Sequence, residues 1–214
     1  MTPALDLAGT FVFALSGAVA GVRRELDLFG VVVTALAAGI AGGVLRDVLL
    51  DQSPPTALGD WRYTAACVLA SVVVLVWHRG LGRAAGIVVL LDAAGLAVFA
   101  VTGTLRALTL SVEPVGAIIV GVLTGIGGGI ARDLLVGEIP FVLRRDVYAL
   151  AALAGAVAVV LGYQLGLPLG FVAPLAAIVC FVTRVLAWRR GWNLQRVRAN
   201  DGLESTDVRE RRHD

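Results

Sequence analysis

The sequence predicts an all-α polytopic membrane protein with seven transmembrane helices, built as two inverted three-helix repeats plus one C-terminal helix. Three observations predict it. The 214-residue chain is 58% hydrophobic and 16% charged, with a mean hydropathy of +0.86. Its apolar residues fall into long uncharged runs. Its two halves match at a constant offset of 86 residues.

The composition excludes several classes. Soluble domains average about 25% charged residues and bury only about 70% of the surface of their unfolded chain. A soluble enzyme, a disordered chain and a secreted disulfide scaffold are all disfavoured. Cys67 and Cys180 lie inside apolar runs without the spacing of a metal site or a disulfide framework. All 18 basic residues are Arg and the net charge is +2. No nucleic-acid partner is expected.

A spanning helix needs about 20 mostly apolar residues. Leu5–Arg23 is the first span, and the lack of a basic n-region reads it as retained. Leu28–Leu50 is the second, Tyr63–His78 the third and Ala84–Leu105 the fourth. Pro114–Val136 is the fifth. Val147–Thr183 has no charge over 37 residues, which as one helix is nearly twice the bilayer core. It turns at Gly162–Pro168, giving spans six and seven. The organisation is a channel-sized membrane domain over 1–188 (repeat one 5–79, repeat two 91–165, seventh helix 168–188). An Arg-rich cytoplasmic tail covers 189–214.

Loop arginines orient the chain. Arg23, Arg24, Arg79, Arg83, Arg144, Arg145, Arg189 and Arg190 fall on one side; Arg62 and Arg106 fall on the other. The N-terminus is therefore expected outside and the C-terminus in the cytoplasm. Trp61, Trp77, His78 and Trp188 fall at span ends and read as interface anchors.

The repeat is ungapped. Eight of the fourteen positions 5–18 are identical at 91–104, and six of the nine positions 39–47 at 125–133. Pro54 meets Pro140, and Asp60 meets Asp146. Three spans per copy is odd, so the second copy enters from the opposite side of the membrane. Such inverted repeats place a substrate path at their interface.

The duplicated motif is Ala41-Gly42-Gly43-Val44-Leu45-Arg46-Asp47 and Gly127-Gly128-Gly129-Ile130-Ala131-Arg132-Asp133. Each interior glycine costs a helix about 1 kcal/mol against Ala. The triplets are therefore weak points where two helices can kink or unwind, freeing carbonyls for a cation. The alternative is close packing, because Gly121, Gly125 and Gly129, matched by Ala35, Gly39 and Gly43, form small-x-x-x-small faces. Adjacent helical residues point about 100° apart. Each Arg is thus expected to pair elsewhere, leaving Asp47 or Asp133 to face a conduit. The alternative places both pairs at the headgroups. Asp6 is expected wet; Asp92 is interior or interfacial according to where span four starts. Ser16 and Thr102 line a pore or bond back to the preceding turn. No catalytic constellation appears, so no enzyme is expected.

At these motifs the chain resembles the trimeric intracellular cation channel (TRIC) family, particularly its prokaryotic members. The likeness rests on the duplicated Gly-Gly-Gly-x-x-Arg-Asp motif, the three-plus-three-plus-one spans and the Leu-Asp-x-Ala-Gly opening of each repeat. It extends over about Leu5–Trp188. The resemblance implies a homotrimer in the bacterial inner membrane, with a potassium-permeable pore in each protomer at glycine-kinked spans two and five. It implies no cofactor beyond the permeant potassium ion, with membrane lipid as a further partner. On this sequence the kink positions are Gly42, Gly43, Gly127, Gly128 and Gly129, with Ala41 departing from the triple-glycine form. Arg46, Asp47, Arg132, Asp133 and Asp92 are the expected charged pathway or gate. Proteins with this domain are also associated with glycine uptake. A secondary transporter for glycine or another small zwitterion is therefore the alternative.

Overall fold

A computed structural model describes residues 3–81, 85–144 and 147–192. Arg83, Arg145, Asp146 and the tail beyond Trp192 lie outside the described residues, as does the His78 side chain. The helices are α1 (Pro3–Arg23), α2 (Leu28–Leu49), α3 (Thr56–Gly59), α4 (Trp61–Leu81), α5 (Ala85–Thr109), α6 (Pro114–Leu135), α7 (Phe141–Arg144), α8 (Val147–Gln164) and α9 (Leu169–Arg190). Six of them, α1, α2, α5, α6, α8 and α9, are long and apolar enough to cross a membrane; α4 has a shorter apolar stretch, Trp61–Trp77.

Local chemistry sets the ends. Asp27 caps α2, its carboxylate accepting from the Gly30 N–H at 2.7 Å. Pro114 opens α6 at a position where its missing N–H costs nothing. The long uncharged run turns at residues 165–168, where Gly166 has φ +67°, a left-handed conformation that favours glycine. Helix α9 runs to Arg190 and ends on Gly191, also left-handed.

Helices α1, α2, α5 and α6 form the centre, with α1 against α2 and α5, and α6 against α2 and α5. Helix α4 packs on α1 and α2, while α8 packs on α5 and α6; α9 covers α5 and α8. The Phe13 and Phe99 rings meet at the middle, 5.4 Å apart and tilted by 38°. Each rests on the other helix's glycine, Phe13 on Gly95 and Phe99 on Gly9. Large apolar side chains such as Phe171, Leu175 and Ile178 of α9 point outward. An apolar rim around a polar centre suits lipid as the surrounding solvent.

The short helices α3 and α7 had no signal in the apolar pattern. Trp61 and Trp77 stand exposed. Trp188 instead lies against Gly86 of α5.

A candidate conduction site at two buried arginine clusters

The glycine triplets do not unwind. Helices α2 and α6 remain α-helical through residues 41–43 and 127–129. The expected freed carbonyls are therefore absent from this conformation. The glycines permit a close crossing of α2 and α6 instead. A Cβ on Gly42 would strike the carbonyl oxygen of Thr124, and one on Gly128 the carbonyl oxygen of Ala38. A Cβ on Gly127 would stand 3.1 Å from Gly42 Cα. Gly43 differs, for nothing lies within 4 Å of its added Cβ, whereas Gly129 faces the Tyr148 hydroxyl. The small-residue faces pack toward other partners. Gly121 and Gly125 lie against α5 at Ala100, and Gly39 lies against Thr10 and Cys67.

An ionic cluster closes the C-terminal end of each crossing helix. At the end of α2, Arg46 Nε donates to Asp47 Oδ1 at 2.8 Å and its Nη1 to Asp6 at 2.8 Å. At the end of α6, Arg132 Nε donates to Asp133 Oδ1 at 2.8 Å and its Nη1 to Asp92 Oδ1 at 2.7 Å. Each Arg thus binds its own neighbour, contrary to the expectation from the 100° offset. That offset places the Cβ atoms, whereas the long, forked Arg side chain reaches back across it. Arg46, Asp47, Arg132, Asp133 and Asp92 are all buried inside protein. Asp6 is not wet either; its side chain is 19% exposed and held by Arg46.

Both oxygens of Asp47 and of Asp133 are already hydrogen-bonded within the protein. Asp47 Oδ2 accepts from the Thr56 N–H at 2.8 Å, and Asp133 Oδ2 from the Phe141 N–H at 2.9 Å. Each therefore caps the short helix that follows, α3 or α7. Asp92, fully buried in α5, is different. Its Oδ1 accepts from Arg132 and from the Tyr148 hydroxyl at 3.2 Å, while Oδ2 has no partner.

The matched hydroxyls cross between the halves. Ser16 Oγ accepts from Arg132 Nη1 at 2.5 Å. Thr102, its equivalent, lines a cavity with Arg46. Neither bonds back to its own helix; Thr34, Ser71, Thr104 and Thr124 do. The cavity at the end of α2 holds about 180 Å³ and includes Asp6, Arg46, Tyr63, Thr102 and Arg106. On its rim the Arg62 guanidinium binds Asp60 and holds that carboxyl below the usual carboxylate range. A second cavity of about 230 Å³ at the end of α6 includes Arg23, Arg24, Arg132, Asp133 and Glu138. Arg24 and Glu138 pair across it at 2.5 Å. At the other end Arg106 donates to Gln52 at 3.3 Å. Gln52 and Glu138 are repeat equivalents, and each reaches an Arg of the other half.

One buried charge has no counterpart in the expected set. Arg184 of α9 is 1% exposed and lies over the Tyr148 ring, 4.5 Å from its centre. It is the only charge between residues 147 and 188, and that isolation within an apolar run is a readable signal.

Comparison with known proteins accords with this geometry. A family model described as "Glycine transporter" matches twice, over residues 3–79 and 89–164. A UPF0126 membrane protein of Streptomyces coelicolor is 45% identical over 191 residues, which is 89% of this chain and 88% of that protein. The UPF0126 inner membrane protein YadS of Escherichia coli is 35% identical, with 89% and 92% covered. Crystal structures of the TRIC trimeric intracellular cation channel orthologue from Rhodobacter sphaeroides superpose with a TM-score of 0.85 at 36% identity, covering 88% of this chain and 97% of that one. The chain therefore belongs to the membrane-transport family that the glycine-transporter model describes, and within it has the fold of the prokaryotic TRIC cation channels.

Proposed function

We propose that this chain is a potassium-permeable channel of the bacterial inner membrane, with one pore in each protomer of a homotrimer. The observation that carries the reading is the pair of repeat-related polar cavities at opposite ends of the α2–α6 crossing. The likeness to a trimeric cation channel supports it at the level of family. On this reading seven helices span, α4 being the third, as two inverted three-helix repeats (5–79 and 91–165) plus a seventh helix (168–188) and a cytoplasmic tail. The N-terminus is outside, so the α2 cavity opens outward and the α6 cavity inward. The inner-membrane assignment is supported by the name of the Escherichia coli relative.

The path runs between α1, α2, α5 and α6. Gly42, Gly43, Gly127, Gly128 and Gly129 form its narrow middle. Ser16 and Thr102 present hydroxyls toward its two ends. Arg46, Asp47, Arg132, Asp133 and Asp92 set the local field. On this reading the buried, paired arginines hold the path closed. Opening separates α2 from α6 at a crossing without side chains to interlock.

Transport of glycine or another small zwitterion is the second reading, favoured by the description of the matching family model. Planar-bilayer recording of the purified protein in asymmetric potassium chloride decides between them. The channel reading expects unitary currents that reverse near the potassium potential. Reversal near the chloride potential overturns it. Saturable glycine uptake into proteoliposomes without unitary current establishes the second reading.

A further inference from the structure

The cavity at the end of α2 is chemically lopsided. Its two carboxylates are engaged: both oxygens of Asp6 lie on Arg46, and both oxygens of Asp60 on Arg62. Two of its donors reach no carboxylate among the described residues. Thr102 is 4% exposed, and its Oγ1 has no hydrogen-bond partner. Arg106, one helical turn further along α5, reaches Gln52 at 3.3 Å and no carboxylate among the described residues. Tyr63 brings a phenol to the same cavity. Leaving a buried hydroxyl without a partner is unfavourable, so the position needs an explanation.

The other half of the molecule shows that the repeat does not require this arrangement. Ser16, the equivalent of Thr102, is satisfied by Arg132. The equivalents of Arg106 and Tyr63 are Ala20 and Ala149. The donor set therefore belongs to one end of the path alone.

We infer that this cavity binds the carboxylate of a small molecule, with Arg106 as the charged anchor and Thr102 Oγ1 donating beside it. A guanidinium fork matches a carboxylate with two parallel hydrogen bonds, which a spherical anion cannot accept. About 180 Å³ admits a ligand of a few heavy atoms, since a water takes roughly 30 Å³ in the liquid. A simple carboxylate and the carboxylate of a small amino acid share this chemistry. In the amino acid, the ammonium would turn toward Asp6 or Asp60. The site goes beyond conduction and stands whichever solute crosses, because its readout is binding.

The test is thermal unfolding of the purified full-length protein at fixed pH and ionic strength, titrated with potassium acetate, glycine or glycinamide. A ligand bound to the folded state raises the midpoint saturably. Acetate, glycine or both are expected to do so, and glycinamide, which lacks the carboxylate, is not. Protection by glycine alone adds an ammonium contact; protection by acetate alone assigns a simple carboxylate. Thr102→Val keeps the shape and breaks no existing bond. It should not lower the unliganded midpoint, because it removes an unsatisfied buried hydroxyl, and it should weaken binding about fivefold. Arg106→Gln should weaken it tenfold or more. If Arg106→Gln does not fold, Thr102→Val decides. No saturable shift with acetate or glycine, equal protection by glycinamide, or undiminished affinity in Thr102→Val overturns the site.

Discussion

Gly42 and Gly128 face each other's helix reciprocally, the Thr124 carbonyl lying over Gly42 and the Ala38 carbonyl over Gly128. Positions 42 and 128 are equivalent in the repeat, as are 38 and 124. The close approach is thus made twice by one rule. Backbone cannot move aside as a flexible side chain can. Gly42→Ala and Gly128→Ala should each destabilise the protein by about 1–3 kcal/mol, the usual cost of overpacking, measured by thermal unfolding in detergent. A conduction defect in either variant would not separate packing from gating.

Gly43 separates them. It is buried in α2 with open space where a Cβ would stand. Gly43→Ala should therefore fit, and should stabilise the helix by about 1 kcal/mol through propensity alone. If opening needs α2 to flex at the triplet, the same variant lowers open probability in bilayer recordings. Unaltered currents with a raised midpoint would remove flexure at Gly43 from gating.

The two arginine clusters should respond unequally to neutralisation. Arg132→Gln leaves Asp92 and Asp133 buried without their cation. Breaking a buried pair in this way costs about 3–5 kcal/mol. Arg46→Gln should cost less, because Asp6 is 19% exposed and water can reach it. Replacing Arg132 and Asp92 together with Met and Leu should recover part of the loss. Midpoints of unfolding across the four proteins check the order.

Six long apolar helices, the turn after α8 and the equivalence of the two Arg-Asp pairs were legible because each is a local or translational signal. Uncharged runs report helices, and a constant offset reports equivalence. The contacts were not legible. The 100° rule misjudged Arg46 with Asp47, and Arg132 with Asp133, because it locates Cβ atoms and not the ends of long side chains. The capping of α3 by Asp47 and of α7 by Asp133 depends on where the chain returns after each helix. The bond from Arg132 to Ser16 joins opposite halves, and self-comparison reveals only which residues are equivalent, not which ones meet. The i, i+4 faces of small residues do pack, Gly121 and Gly125 on α5 and Gly39 on Thr10 and Cys67, but the α2–α6 crossing is made at Gly42 and Gly128, which lie outside those faces.

Arg24 and Glu138 join the loop after α1 to the segment after α6 across the second cavity, both partners about half exposed. Such a pair is worth about 0–1 kcal/mol and is screened by salt. Glu138→Gln should barely change the unfolding midpoint. On the channel reading it should raise open probability in about 0.1 M KCl, where the Debye length is about 10 Å, and have no effect at 1 M, where it is about 3 Å. The equivalent neutral contact between Arg106 and Gln52 predicts no matching salt dependence at the other end. An Arg24–Glu138 effect that persists unchanged at 1 M would rule out an electrostatic latch.

The orientation can be tested with single cysteines, because the native Cys67 and Cys180 are buried. Leu165 lies in the turn between α8 and α9 and is 73% exposed; Ile139 lies between α6 and α7 and is 53% exposed. Between these sites lie the short α7 and the long α8, and only α8 is long enough to cross. They should therefore face opposite compartments. On the proposed orientation, Ile139 faces the cytoplasm and Leu165 the outside. Leu165→Cys should react with an impermeant maleimide in intact spheroplasts, and Ile139→Cys only after permeabilisation. The reverse pattern would invert the chain, and with it the cavity at which a carboxylate from outside the cell first arrives.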